Sequence, residues 1–149
     1  MDPEVEEIAP ALLSRTFDAN KFLQHDANSA LDSMIDNVSA TRSATFLLSK
    51  GAKHRNAVVR TTACRLLARL CQNLGVEHVY SLPRDTRDSI LNAAAKFLLE
   101  GSLETRAHAK ELFSVLAKEP KFMRIMNDVV PSKTMEAVRK PLIKIINQK

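Results

Sequence analysis

Four histidines, two cysteines and 17 carboxylates are the side chains of this 149-residue chain with the means to do chemistry. Acid–base catalysis, nucleophilic attack and metal binding each need two or three such groups to converge. The spacing gives no sign of that. His25, His54, His78 and His108 are scattered, and none is placed with another histidine or an acid on one helix in a metal-binding pattern. There is no Gly-x-Gly-x-x-Gly, no Walker loop and no Gly-x-Ser-x-Gly. Cys64 and Cys71 lie on one expected helix, about 10 Å apart, too far for a disulfide. With no Cys-x-x-Cys and no zinc spacing, both read as small buried hydrophobes in a reducing compartment. Catalysis, a cofactor and a metal site are therefore not expected.

Cations remain. Lys50, Lys53, His54, Arg55 and Arg60 crowd one short stretch; Arg106 and Lys133 stand at comparable places further on. Cations at a helix N-terminus oppose the positive end of the macrodipole, so something anionic should lie nearby. For Arg60 and Arg106, one reading is internal pairing with backbone carbonyls or an acid of the neighbouring unit. The other is contact with a partner. Lys53, His54 and Arg55 fall in the loop itself, where packing asks for no cation, so a functional and a merely solvated loop both stay open.

The elements that position these residues are helices. Asn56 is placed to cap a helix running to Leu74, with Val59, Ala63, Leu66, Leu67, Leu70 and Leu74 on one face and Gly75 at a left-handed C-terminal cap. Residues 60–70 align without a gap on residues 106–116, an offset of 46: Ala63 meets Ala109, Leu66 meets Leu112, Leu67 meets Phe113 and Leu70 meets Leu116. The preceding helices end alike, in Phe46-Leu-Leu-Ser-Lys-Gly51 and Phe97-Leu-Leu-Glu-Gly101, which makes the first turn five residues longer than its counterpart. A two-helix unit with a period in the forties predicts an all-α solenoid of the HEAT or armadillo type, with about four helical hairpins.

Along the chain, a first helix is predicted over 3–15, with Pro10 ending or kinking its early turns. A second runs from about Ala19 to Asn37, its opening Lys21-Phe-Leu-Gln-His joined to the helix before and a break near Asp26. Ser39 caps a helix through Lys50. Val76–Leu82 is read as a connection with Tyr80 tucked under it. Helices follow over Pro83–Glu100, Leu103–Lys118 and a short stretch around Phe122–Val129 that Pro131 stops. Ser132 caps the last, which Pro141 should bend. Leu66, Leu67 and Leu70 should pack against Phe46, Leu47 and Ile90 or Leu91.

Length and composition agree with one domain over residues 1–149. Apolar residues make up 45% of the chain and no run is long enough for a membrane span. The acidic opening, Met1-Asp-Pro-Glu-Val-Glu-Glu, is neither a secretory nor a transit leader. A net charge of +5 makes an acidic partner plausible. Nucleic acid is a weaker fit, because the basic residues lack interleaved aromatics and no helix-turn-helix is evident.

The run Ser29-Ala-Leu-Asp-Ser-Met-Ile-Asp-Asn-Val-Ser39, then Gly51-Ala-x-His-x-Asn-Ala-Val-Val-Arg60, then Pro131-Ser-Lys133, resembles TOG domains, the tubulin-binding HEAT arrays, and among them the crescerin family. The resemblance covers nearly the whole chain and looks like the C-terminal repeats of a six-repeat TOG domain, hence a piece of a larger protein. It implies that the turns between paired helices line one edge that contacts tubulin. That edge would hold Asp26, Ala27 and Asn28, then Lys53 to Asn56, then Ser102 to Thr105, then Ser132 and Lys133. It further implies a non-catalytic, monomeric module in the cytoplasm, on the cytoskeleton or in a cilium. The expected partner-binding residues are thus Lys53, His54, Arg55, Asn56, Arg60, Arg106 and Lys133. The rival reading is a HEAT scaffold for another protein. In the family the leading repeats present an exposed aromatic, often Trp; here Trp is absent and Tyr80 is the single tyrosine.

Overall fold

The computed structural model describes residues 8–147. Its helices are α1 (Ala9–Arg15), α2 (Lys21–Asn37), α3 (Ala40–Phe46), α4 (Ala57–Leu74), α5 (Val76–Tyr80), α6 (Arg84–Leu98), α7 (Leu103–Leu116), α8 (Phe122–Val129) and α9 (Ser132–Asn147), and among the described residues there is no strand. A π-helical turn, Leu47–Gly51, continues α3. Helices pack in consecutive pairs: α1 on α2, α3 on α4, α6 on α7, α8 on α9. Second helices also stack on one another, α2 on α4, α4 on α7, α7 on α9, and first helices do the same from α3 to α6 to α8. This is the two-layer, all-α HEAT-like solenoid that the 46-residue offset predicts.

Short polar caps start the second helices. Asn20 Oδ1 accepts from the amides of Phe22 (2.9 Å) and Leu23 (3.3 Å), and Asn56 Oδ1 does the same for Val58 (2.8 Å) and Val59 (3.4 Å). Ser102 accepts from Thr105 at 3.3 Å. Each cap satisfies orphan amides of the first turn. Gly75 ends α4 with φ of 82° and ψ of 157°. The positive φ was expected of it, but ψ is extended rather than left-handed helical, and the next residue already begins α5.

Leu66, Leu67, Leu70, Phe46, Leu47, Ile90 and Leu91 are all buried in one core cluster. Two ion-pair rungs tie α2 to α4 outside that core. Arg65 meets Asp32 at 2.6 Å and Asn28 at 3.1 Å; Arg69 grips Asp36 through two bonds (3.0 and 2.7 Å), and Asn73 adds a third at 2.8 Å. The Arg69 and Asn73 hydrogen bonds hold the Asp36 carboxyl below the usual aspartate range.

Several expectations need correction. There is no break near Asp26: α2 is continuous from Lys21, and the break lies over 16–20, where Asp18 Oδ1 accepts the Asn20 amide. Helix α1 begins at Ala9, with Pro10 in the first turn, where its missing N–H costs nothing; the expected start at Pro3 lies outside the described residues. Val76–Leu82 contains a short helix, though Tyr80 is tucked as expected, its hydroxyl donating to the Leu116 carbonyl at 2.8 Å.

The match of Phe46 with Phe97 is also out of register. Caps Asn56 and Ser102 keep the offset of 46, which carries Gly51, not Phe46, onto Phe97. Residues that were expected to lengthen the loop instead extend α3 as the π-turn, closed by the Ala52 amide on the Leu47 carbonyl at 2.8 Å. The two turns, 52–56 and 99–102, differ by a single residue.

Candidate functional site: the edge of paired-helix turns

The turns over 16–20, 52–56 and 99–102 lie side by side along one edge. Phe17 of the first stacks obliquely near His54 of the second, ring centroids 6.3 Å apart. Arg60, in the first turn of helix α4, reaches Glu100 of the third with two bonds (3.1 and 3.2 Å). Behind the turns, the hydroxyls of Thr61 and Thr105 meet at 2.6 Å, locking the start of α4 to that of α7.

Arg60 organises its own turn as well. Its Nη1 donates to the carbonyls of His54 and Arg55, both at 2.9 Å. Asn56 commits its side chain to the cap, and its amide donates to His54 Nδ1 at 3.0 Å. Arg60, Asn56 and His54 therefore form a frame that holds the loop, and the frame presents Lys53 and Arg55, both exposed. The same device recurs one unit earlier, where Gln24 donates to the Asp18 carbonyl. At the matching place in the next unit, Arg106 is half-buried with its Nε buried and unpartnered.

Lys133 is exposed on the first turn of α9 but does not join this row. Asn92 donates to the Val129 carbonyl at 3.4 Å, so α8 ends beside the middle of α6, well short of that helix's end. Asp26, Ala27 and Asn28 are not on the edge at all: they lie within α2, Ala27 in the core and Asn28 bonded to Arg65. The structure thus brings Lys53, His54, Arg55, Asn56 and Arg60 together, sets Arg106 in the adjoining unit, and leaves Lys133 apart.

Sequence reasoning missed the apolar half of the edge. Phe22 is 83% exposed and Leu103 77%, and Phe17, Val58 and Leu99 are also open to solvent. All five belong to the turns or to the first two residues of the helices that follow. A signal existed: Phe22 and Val58 each stand two places after an asparagine cap, off the buried stripes Ala27–Leu31–Ile35 and Val59–Ala63–Leu66. Large apolar residues outside a core stripe, clustered at one edge, are the mark of a contact surface.

Groups with chemical potential elsewhere do not converge. Contrary to the expectation that no histidine is placed with an acid on one helix, His108 and Glu111 meet on α7 at 3.2 Å. A single pair is no ligand set, and among the described residues no three His, Cys, Asp or Glu side chains are placed to hold a metal. Both cysteines are buried; burial pushes the Cys71 thiol up to about 12 and Cys64 higher still, with Glu111 and Glu100 adding to the latter. Neither is a nucleophile in that state. No helix of the described residues is long and apolar enough to cross a membrane.

Comparison with known proteins adds the following. The family model described as CLASP N terminal matches residues 1–134. "TOG array regulator of axonemal microtubules protein 1" of Mus musculus is 30% identical over 139 residues, 93% of this chain and 8% of that protein. "Crescerin-like protein che-12" of Caenorhabditis elegans is 23% identical over 146 residues, 97% of this chain and 11% of that protein. The chain therefore spans about a tenth of the length of these relatives. No solved structure matches.

Proposed function

Since the chain belongs to the CLASP N-terminal family and is a crescerin-like TOG domain, we propose that it is a non-catalytic module that binds tubulin or microtubules through the edge described above. The observation that carries this reading is the coexistence, on one edge, of exposed apolar side chains with framed, exposed cations. Phe22, Val58 and Leu103 supply apolar anchors of the kind that hold an interface. Lys53 and Arg55 supply charge that steers an acidic partner and sets register, as rim charges do. Arg60, His54 and Asn56 position the loop; Arg106 adjoins it in the next unit, and Lys133 lies apart from the row.

The chain acts as one unit of a larger, monomeric protein, in the cytoplasm, on the cytoskeleton or in a cilium. The names of the mouse and worm relatives and the small share of each that is matched support this placement.

The experiment is co-sedimentation with microtubules and gel filtration with free tubulin, across salt. Lys53→Glu/Arg55→Glu should weaken binding while leaving the thermal midpoint within about 2 °C, as exposed changes do. Phe22→Ser/Leu103→Ser should weaken it more, with little salt dependence. Binding untouched by both double variants would move the protein to the scaffold reading.

A further inference from the structure

Between α3 with its π-turn and α6 runs an open groove of about 620 Å³, whose edge end opens beside the 52–56 turn. That volume is within the range of sites that hold a small ligand or a short peptide segment. Leu48, Ala52, Ala93 and Phe97 give it an apolar floor, and Thr45, Ser49, Thr86, Ser89 and Asn92 also line it. The Thr45 and Ser49 hydroxyls and the Asn92 amide already donate to backbone carbonyls, which leaves the Thr86 and Ser89 hydroxyls as donors. Charge along it is uneven. Lys53 and Lys96 flank the edge end, and among the described residues no carboxylate lies within ion-pair distance of either. Glu100 also lines the groove and is already bound twice by Arg60. Asp85 marks the opposite end.

The wall is of unusual construction. Leu48 and Ser49 belong to the π-turn, and π-turns inside helices gather at functional sites. This one is pinned from behind: a Cβ on Gly51 would come 2.6 Å from the Ala63 Cβ.

We propose that this groove receives an acidic, extended polypeptide segment of the same partner that docks on the edge. A carboxylate of the segment sits between Lys53 and Lys96, its backbone carbonyls accept from the Thr86 and Ser89 hydroxyls, and Asp85 disfavours acid at the far end, which fixes polarity. The inference rests on the edge reading for its partner but on different residues for its test.

A fluorescein-labelled oligoglutamate peptide is titrated into the whole chain and followed by anisotropy across salt. Lys96→Glu, and separately Ser89→Trp, which fills the groove without a charge change, should each weaken binding by about tenfold, the scale of one charge-assisted contact. Arg139→Glu/Lys140→Glu on α9 carries a larger charge change away from the groove and should weaken it far less. Peptide binding that survives Lys96→Glu and Ser89→Trp, or that is lost with the α9 variant, overturns the groove. Neither variant touches Phe22, Leu103 or Arg55, so tubulin binding retained by both while the peptide is lost leaves the edge standing. Tubulin binding indifferent to the edge variants removes the edge whatever the peptide does.

Discussion

The hairpins α3–α4 and α6–α7 are built on the same pattern and end differently. Each has an arginine four places after a polar cap, a threonine beside it and the same buried stripe behind. In the first, Arg60 ties two carbonyls of its own turn and an acid of the next. In the second, Arg106 finds no partner for its Nε. The difference lies in the neighbour. Hairpin α6–α7 brings Glu100 level with Arg60, whereas α8 stops beside the middle of α6, and among the described residues no acid lies within ion-pair distance of Arg106. A solenoid residue thus takes its role from the next unit as much as from its own position, and Arg60 ties its turn to the neighbouring one while the Arg106 Nε at the matching place is left unpartnered.

The largest expected effect tests whether the two hairpins are equivalent in their cores. Leu67 and Phe113 occupy matched positions and are both fully buried. Leu67→Ala should cost about 2–5 kcal/mol and Phe113→Ala about 3–5 kcal/mol in denaturant melts. A loss below about 0.5 kcal/mol at either would break the offset of 46, since a cavity in a close-packed core cannot be that cheap.

The glycines sharpen the contrast next. Gly51→Ala drives a Cβ into Ala63 and should destabilise by about 1–3 kcal/mol. Gly101 faces open space without positive φ, so Gly101→Ala should be neutral or stabilise by up to about 1 kcal/mol. Equal melts for the two variants would mean that the π-turn is not pinned.

The arginines come third. Arg60→Ala leaves a half-buried Glu100 and two turn carbonyls without their donor, at about 1–2 kcal/mol after discounting for solvent. Arg106→Met removes an unsatisfied buried nitrogen and should fall within about 0.5 kcal/mol of the parent. A reversed order would show that the clamp is not where stability resides.

Smallest is a pH effect on the rungs between α2 and α4. Asp36 titrates below the ordinary aspartate value of 3.8 when folded, so folding favours its charged form. That contribution is present above the unfolded value and is lost as pH falls through the lower folded one. Asp36→Asn should therefore flatten the acid limb of stability against pH below about 4 and leave the neutral region nearly unchanged. An unaltered acid limb would remove Asp36 from the account.

Much of this was legible in the chain because it is periodic. Caps at Asn56 and Ser39 and the buried faces follow from residue type and spacing. What escaped depended on the third dimension. Phe46-Leu-Leu and Phe97-Leu-Leu read as one motif, but a π-turn looks like loop in a sequence and shifts the register. The exposed set, Phe17, Phe22, Val58, Leu99 and Leu103, was invisible while hydrophobic residues were counted as core and the search was for Trp or Tyr. Arg60 and Arg106 are indistinguishable by motif; only the neighbouring hairpin separates them.

The central claim is that binding belongs to one edge and not to the positive charge of the whole. It is tested most directly by two charge-matched variants in one tubulin titration: Lys53→Glu/Arg55→Glu on the edge, and Lys118→Glu/Lys121→Glu in the connection on the opposite side. The edge variant should weaken tubulin binding by about tenfold or more at physiological ionic strength, where long-range charge is screened, and the opposite variant should stay close to the parent. Equal losses from both would contradict the claim and reduce the edge to one patch of a generally basic surface.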